Sequence, residues 1–414
     1  MEAPRLYARL VQGRLIAALA DSPVVLIHGP RQCGKTTLAR LTGDRQGHRY
    51  FTFDDPVTYA AAREDPAGFV DDLPERAILD EVQRVPELFS SIKTAVDRRR
   101  TPGRFLLTGS ANVLLVPHLS DSLAGRMEIL LLHPLAQAEL AEKPSAFLDA
   151  LFQRGFKTRS KPRLGRELGE RVAAGGYPAA LVRSEPRRGT WYRDYIATIV
   201  QRDVRALARI AALDAVPRLL SLAAGQTARL LNVSDLAAPF RLSRPTIRDY
   251  VTLLEHVFLI DILAPWHNNR LSRLIKTPKL HIGDTGLACA LLGIDAGDLT
   301  SDRDLLGPLV ETFVFQELRR QASGRDDMIG FYHFRDKEGA EVDVVMERGV
   351  REIVGVEVKT GATVTAADFR GLRKLKEAAG RRFVRGIVLY DGETSASFGD
   401  DLHAVPMRDL WESR

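Results

Sequence analysis

The chain has 414 residues, more than one ordinary hydrophobic core accommodates, so about two to four domains are expected. Its 45% hydrophobic and 27% charged residues exclude a disordered or fibrous protein. The net charge of +6 permits a polyanionic partner without demanding one. No run approaches the ~20 apolar residues of a membrane span, and Met1-Glu2-Ala3-Pro4-Arg5 has no signal-peptide core, so a cytoplasmic protein without a membrane contact is expected. Cys33 and Cys289 are the only cysteines, which implies neither a disulfide framework nor a cysteine metal site.

In chain order, residues 5–20 read as an amphipathic helix leading into Val24-Val25-Leu26-Ile27, a β-branched run that predicts a buried strand. Next comes Gly29-Pro30-Arg31-Gln32-Cys33-Gly34-Lys35-Thr36-Thr37, whose residues 29–36 fit G-x-x-x-x-G-K-[ST] at every fixed position. The composition after it suits a helix, and strand, glycine loop and helix is the context this motif requires. Backbone N–H groups of the loop and the helix N-terminus would surround a polyphosphate. Lys35 would reach the β- and γ-phosphates, and the Thr36 hydroxyl would ligate Mg²⁺. No Asn-Lys-x-Asp guanine motif is present, so ATP is the expected nucleotide.

A second strand is expected around Tyr50-Phe51-Thr52-Phe53, ended by Asp54-Asp55-Pro56. Ala77-Ile78-Leu79-Asp80-Glu81 is an apolar strand ending in two acids. There Asp80 would hold the Mg²⁺ shell and Glu81 would polarise the attacking water. Phe105-Leu106-Leu107-Thr108-Gly109 predicts a further buried strand ending in small polar residues. In phosphate-loop ATPases such a strand lies between the two motif strands and its polar end senses the γ-phosphate, which makes Ser110 and Asn112 the candidates, with a capped turn as the other reading. Arg126, after Gly125, is read in two ways: a catalytic arginine acting in cis or on a neighbouring copy in a homo-oligomer, or a structural ion-pair residue.

The segments Gly29–Thr37, Ala77–Gln83, Phe105–Asn112, Ser122–Arg126, His133–Leu135 and Gly175–Pro178, in this order, resemble a family of bacterial and archaeal AAA-type ATPases. That resemblance spans nearly the whole chain. It implies a C-terminal domain similar to Holliday-junction resolvases and restriction endonucleases. It also implies that Gly176-Tyr177-Pro178 belongs to a lid coupling nucleotide state to the domains that follow.

Residues 141–165, rich in basic residues, Pro and Ser, read as a loop or hinge, followed by helices over 166–174 and 191–209. Val233–Phe240 and Leu242–Glu255 read as a helix-turn-helix with Ser234 and Ser243 as N-caps, followed by a wing-like strand at Phe258–Leu263. Arg244, Thr246 and Arg248, at the start of the second helix, are the expected DNA contacts. Such an element also docks on proteins, so a protein partner is the other reading.

In the last third, Glu311 belongs to a helix predicted to open at Gly307-Pro308, Asp343 to the strand Glu341–Val345, and Glu357 and Lys359 to the strand Ile353–Lys359. Period two puts Glu357 and Lys359 on one strand face. With Asp343 they fit the D…E-x-K pattern of metal-dependent nucleases. Asp343, Glu357 and Glu311 would bind Mg²⁺ or Mn²⁺, and Lys359 would activate water; the other reading is an ion-paired sheet face in which Lys359 neutralises Asp343 and Glu357. The basic run from Arg370 through Arg373, Lys374 and Lys376 to Arg385 suits a DNA backbone or a solvated helix face. Asp284 reads as a turn or cap residue.

The expected organisation is α/β. A P-loop NTPase parallel-sheet core (residues 1–140) precedes a hinge and helical lid (141–225), a winged helix-turn-helix (226–272) and a restriction-endonuclease-like α/β domain (273–414). The leading functional expectation is an ATP-hydrolysing, DNA-associated protein coupling nucleotide state to a metal-dependent nuclease-like domain. The alternative is an ATP-gated switch whose nuclease-like domain binds without cutting.

Overall fold

Apolar runs at 24–28, 77–80 and 105–109 are buried along their whole length, and they form the middle of a parallel sheet in the computed structural model. The structure describes residues 5–110, 123–142, 145–153, 156, 160–205, 214–240, 242–269, 273 and 277–413. These divide into two compact units. One holds the residues up to Leu135 with His256–Phe258 and Ser323–Asp326; the other holds Ala136–Glu255, Leu259–Ala322 and the residues from Asp327 on.

In the first unit, α1 (Gln12–Asp21), β1 (Val24–His28), α2 (Lys35–Gly43), β2 (Arg49–Thr52), α3 (Pro56–Glu64), α4 (Pro66–Asp71), β3 (Ala77–Asp80), α5 (Leu88–Arg98), β4 (Phe105–Gly109) and β5 (Met127–Leu131) follow one another. The sheet order is β2-β3-β4-β1-β5, all parallel, so β4 lies between the strands that carry the two acidic and phosphate-loop motifs. Both faces are covered, as a parallel sheet requires. Leu15, Leu19, Leu38 and Ala39 of α1 and α2 pack on one side, and Val70, Phe89, Ile92 and Val96 of α4 and α5 on the other.

The helix expected over 5–20 begins only at Gln12, and residues 5–9 are irregular. The reason is visible in Arg9, whose guanidinium donates to the carbonyls of Cys33 and His133, a reach that continuing α1 backwards would spoil. Asn112 lies outside the described residues.

The second unit opens with α6 (Gln137–Leu140), α7 (Phe147–Phe152), α8 (Arg166–Ala174), α9 (Pro178–Leu181), α10 (Glu185–Ile199) and α11 (Ala215–Gly225). The expected loop at 141–165 therefore contains a short helix, fixed by burial of Phe147, Leu148, Leu151 and Phe152. The helix expected at 191–209 starts earlier, at Glu185, and passes into a π turn at Val200–Val204; residues 206–213 lie outside the described ones.

Then come β6 (Arg229–Leu230), α12 (Val233–Ala237), α13 (Arg244–His256), β7 (Ile260–Leu263) and β8 (Lys279–Ile282), with the strands in an antiparallel sheet ordered β6-β8-β7. Ile247, Tyr250, Val251 and Leu254 form the buried stripe of α13. Ser243 caps it, accepting from Thr246 N at 3.2 Å, but α12 is capped by Asn232 rather than Ser234, because Asn232 precedes the first helical residue and accepts from Ser234 N.

The chain continues through α14 (Thr285–Leu292), α15 (Ala296–Ser301) and α16 (Arg303–Ser323). Expected to open at Gly307, α16 starts four residues sooner because Asp302 Oδ1 accepts from the amides of Asp304 and Leu305. After it β9 (Ile329–Arg335), β10 (Glu341–Arg348), β11 (Glu352–Lys359), α17 (Arg370–Ala379), β12 (Phe383–Tyr390), β13 (Ala396–Ser397), β14 (Leu402–Pro406) and α18 (Asp409–Glu412) complete the unit. The mixed sheet runs β13-β14-β12-β11-β10-β9, antiparallel from β9 to β11 and parallel from β11 through β12 to β14. Leu372 and Leu375 of α17 bury against Val342, Val345, Ile353 and Val388 of this sheet.

Candidate functional site

The phosphate loop bridges the end of β1 and the start of α2, and its shape depends on Gly29 and Gly34, at φ 146° and 103°. A side chain on Gly29 would place its Cβ 2.1 Å from the Leu132 carbonyl oxygen, so only glycine lets the loop pass this close to the chain after β5. Lys35 is buried at the start of α2, and its ammonium donates to the carbonyls of Gly29 and Pro30 at 3.1 and 2.8 Å. Burial, with Lys35 nearby, lowers the pKa of His28 to about 4, which leaves that ring neutral at neutral pH. Burial pushes the Cys33 thiol up, and its Sγ donates to the Leu132 carbonyl.

The acids at the end of β3 face this loop. Asp80 Oδ1 accepts from Thr36 Oγ1 at 2.8 Å and Thr108 Oγ1 at 2.5 Å, while Oδ2 accepts from the Tyr50 hydroxyl at 2.9 Å. Thr36 and Asp80, the two groups expected around Mg²⁺, thus already lie side by side, and the residues fit that ion. Glu81 turns away from the strand in a left-handed conformation, φ 60°, held by its amide donating to Thr108 Oγ1. Its Oε2 accepts from Ser110 Oγ at 2.7 Å and Gln83 Nε2 at 2.5 Å, with Arg31 Nη1 at 3.9 Å. Sequence reasoning missed Gln83, Thr108, Tyr50 and Arg9 because each acts through a hydrogen bond between separate strands and loops.

Arg126 lies elsewhere. It precedes β5, whose first residue pairs with Val24 at the start of β1, whereas the loop leaves the far end of β1, about 13 Å along the strand. There its guanidinium grips Asp97 of α5 through two bonds, Nε–Oδ1 2.6 Å and Nη2–Oδ2 3.0 Å. Of the two readings of Arg126, this geometry favours the ion pair over a catalytic role in cis. Arg126→Ala should leave ATP turnover per chain unchanged, and a steady-state ATPase assay checks this.

In the second unit, strand geometry gathers the D…E-x-K residues. Lys359 Nζ donates to Glu357 Oε1 at 2.8 Å on the shared face of β11, and Asp343 Oδ2 on β10 accepts from Val358 N at 2.9 Å. Asp343 Oδ1 and Glu311 Oε1 of α16 are bridged by a residue not singled out in the sequence. Lys279 of β8 places its buried Nζ 3.2 and 2.7 Å from them. Burial opposes the charge on Lys279, but Asp343 and Glu311 raise its pKa above the usual lysine value. Burial, then Asp343, pushes Glu311 well up and carries Glu357 up to about 8. Among the described residues no three His, Cys, Asp or Glu side chains form a group that could hold a metal ion. The residues present do not fit the divalent ion expected here, because an ammonium stands between two of its three carboxylates. The signal available in the sequence was a charged residue heading the otherwise buried run Lys279-Leu280-His281-Ile282.

The expected nucleic-acid contacts differ in how they are held. Arg244 and Arg248 are exposed on α13, and Thr246 is half-buried with its hydroxyl 2.7 Å from Ser243 Oγ. On α17, Arg373 is exposed but donates to the Ala366 carbonyl, and half-buried Lys374 lies 3.5–3.8 Å from Glu377 and Glu338.

Asp284, expected as a cap, does cap α14 but also ties the Gly175-Gly176 bend to α16. Its Oδ2 accepts from Gly176 N at 2.8 Å and from Arg320 Nη2 at 2.9 Å, and its Oδ1 from Gly286 N at 3.0 Å and the Tyr192 hydroxyl at 3.1 Å.

The strand order and the loop-to-acid geometry define a P-loop ATPase fold of the AAA class, and a family model described as an AAA domain matches residues 21–141. Two domains of unknown function follow, DUF8612 over residues 165–298 and DUF4143 over 306–410. Over 394 residues the chain is 32% identical to the uncharacterized protein Rv2008c of Mycobacterium tuberculosis, covering 95% of this chain and 82% of that protein. The uncharacterized protein Mb2031c of Mycobacterium bovis matches with the same figures. The chain belongs to the family of these two mycobacterial proteins. Over the region where an endonuclease-like domain is expected, the match is to a domain of unknown function.

Among solved structures, the Walker-type ATPase PABY2304 of Pyrococcus abyssi is similar at 15% identity and TM-score 0.41, over 68% of this chain and 94% of that one. The RuvB Holliday junction branch migration motor of Thermotoga maritima is similar at 18% identity and TM-score 0.29, over 61% and 88%. No helix among the described residues is long and apolar enough to cross a membrane.

Proposed function

We propose that the chain binds and hydrolyses ATP at the phosphate loop and associates with DNA through its second unit. The observation that carries the first part is the clasp of Asp80 by Thr36, with Glu81 held beside it by Ser110 and Gln83. Amides of Gly29–Thr37 and the Lys35 ammonium would hold the polyphosphate, and Thr36 and Asp80 would hold Mg²⁺, which neutralises phosphate charge when bound. Glu81, turned out of the strand, would accept a proton from the attacking water. Ser110, within reach of Glu81, would sense whether a γ-phosphate is present.

Exposed Arg244 and Arg248 at the start of α13, followed by the β7–β8 ribbon, support reading residues 226–282 as a winged helix with a DNA-facing helix. Lys279, seated between Glu311 and Asp343, disfavours the cleaving role expected of Asp343, Glu357 and Lys359. The reading favoured instead is an ATP-driven protein whose C-terminal sheet engages its partner without cutting.

ATP turnover is measured with and without duplex, branched and single-stranded DNA, and DNA retention at two salt concentrations. Lys35→Ala should abolish nucleotide binding and hydrolysis. Turnover at the wild-type rate in that variant sinks the ATPase assignment. Retention should weaken steeply with salt and fall in Arg244→Ala/Arg248→Ala. A chain that retains no nucleic acid at low salt removes the DNA part.

A further inference from the structure

We infer that Lys279 is the resident cation of the Glu311–Asp343–Glu357 cluster, and that the C-terminal sheet works without a divalent metal ion. The cluster brings three carboxylates near one another, but the position between Asp343 and Glu311 is filled from within the chain. Lys279 Nζ sits 2.7 Å from Glu311 Oε1 and 3.2 Å from Asp343 Oδ1, and its side chain is 4% exposed. The second oxygen of Asp343 is taken by Val358 N, and one oxygen of Glu357 by Lys359. A divalent ion would have to displace a buried ammonium and then leave that ammonium without a counter-charge, which is strongly unfavourable.

The placement of the lysine follows from the topology. Lys279 heads β8 and pairs with Leu263 of β7 and Leu230 of β6, so its side chain is delivered by the small antiparallel sheet into the end of the mixed sheet. One ammonium thereby fastens three elements distant in sequence: β8, α16 and β10. Lys359, whose side chain is 37% exposed, remains the outer cation of the cluster and can meet a phosphate group without any metal. The cluster is in these terms a fastening with a cationic outer edge.

The test is a Mn²⁺ titration of the full-length, nucleotide-free chain, following the loss of the free-ion electron paramagnetic resonance signal, in the wild type, Asp343→Asn, Lys279→Met and Lys279→Met/Asp343→Asn. Wild type and Asp343→Asn should superimpose. Lys279→Met should gain one Mn²⁺ per chain, and the double variant should lose it again. A wild-type chain that binds one equivalent of Mn²⁺ missing from Asp343→Asn overturns the inference. So does a Lys279→Met chain with a wild-type circular dichroism spectrum and no added Mn²⁺. Should Lys279→Met fail to fold, the wild-type and Asp343→Asn pair decides alone.

Discussion

Glu81→Gln is expected to slow ATP hydrolysis by roughly 10²–10⁴-fold while leaving ATP bound, the range associated with loss of a positioned general base. The substitution keeps size and hydrogen-bonding capacity, so Ser110 can still donate to the new side chain as it does to Glu81 Oε2. Asp80, with its three hydroxyl donors, is untouched, and so are the groups that would hold Mg²⁺ and phosphate. What disappears is the carboxylate able to take a proton from water. Single-turnover hydrolysis together with equilibrium binding of a fluorescent ATP analogue separates the two quantities. A variant hydrolysing within a few-fold of the wild-type rate would deprive Glu81 of this role. One that loses binding as well would mean that the Glu81 carboxylate, with Ser110, Gln83 and Arg31 around it, also holds the loop in shape.

The phosphate loop was legible because its chemistry is local: eight consecutive residues specify strand exit, glycine turn and helix entry. Asp80-Glu81 was legible through an apolar run that ends in acids. The two readings of Arg126 stay open in the sequence because distance along the chain says nothing about which end of a strand a residue occupies, and only the pairing of Met127 with Val24 separates them. Lys279 is marked locally only as a charge heading a buried run, and its partners, 32 and 64 residues away, are not legible from that. Helix starts moved for a similar reason. Arg9 and Asp302 answer to carbonyls and amides that a periodicity argument does not weigh.

Asp284→Ala should destabilise the second unit by about 3–5 kcal/mol, the range for removing one partner of a buried ion pair. Asp284 is 1% exposed and Arg320 5%, so the guanidinium left behind would be buried without the carboxylate it now pairs with. The amide of Gly176 and the Tyr192 hydroxyl lose their acceptor in the same step. In the wild type the bend is built tightly around this carboxylate, since Gly175 sits at φ 67° with Asp284 Oδ1 2.1 Å from where a Cβ would stand. Asp284→Asn keeps the shape and one acceptor, and should cost less. Urea unfolding followed by tryptophan fluorescence isolates the effect, because the chain's three tryptophans, Trp191, Trp266 and Trp411, all belong to the second unit. A midpoint within error of the wild type in Asp284→Ala would reduce this residue to a simple cap.

The short helix α7 finds its surroundings at the far end of the chain. Ser145 Oγ donates to the Leu410 carbonyl 265 residues away, and Arg385 donates to the carbonyls of Ala150, Leu151 and Gln153 over 232–235 residues. During synthesis at roughly 5–20 residues per second, Phe147, Leu148, Leu151 and Phe152 therefore wait on the order of 10–50 s for these partners to emerge. For that interval the nascent polypeptide carries an apolar helix with its packing surface still to be made, while the phosphate-loop unit draws only His256–Phe258 and Ser323–Asp326 from downstream. Residues 147–152 are accordingly where a ribosome-associated chaperone would be expected to hold this chain.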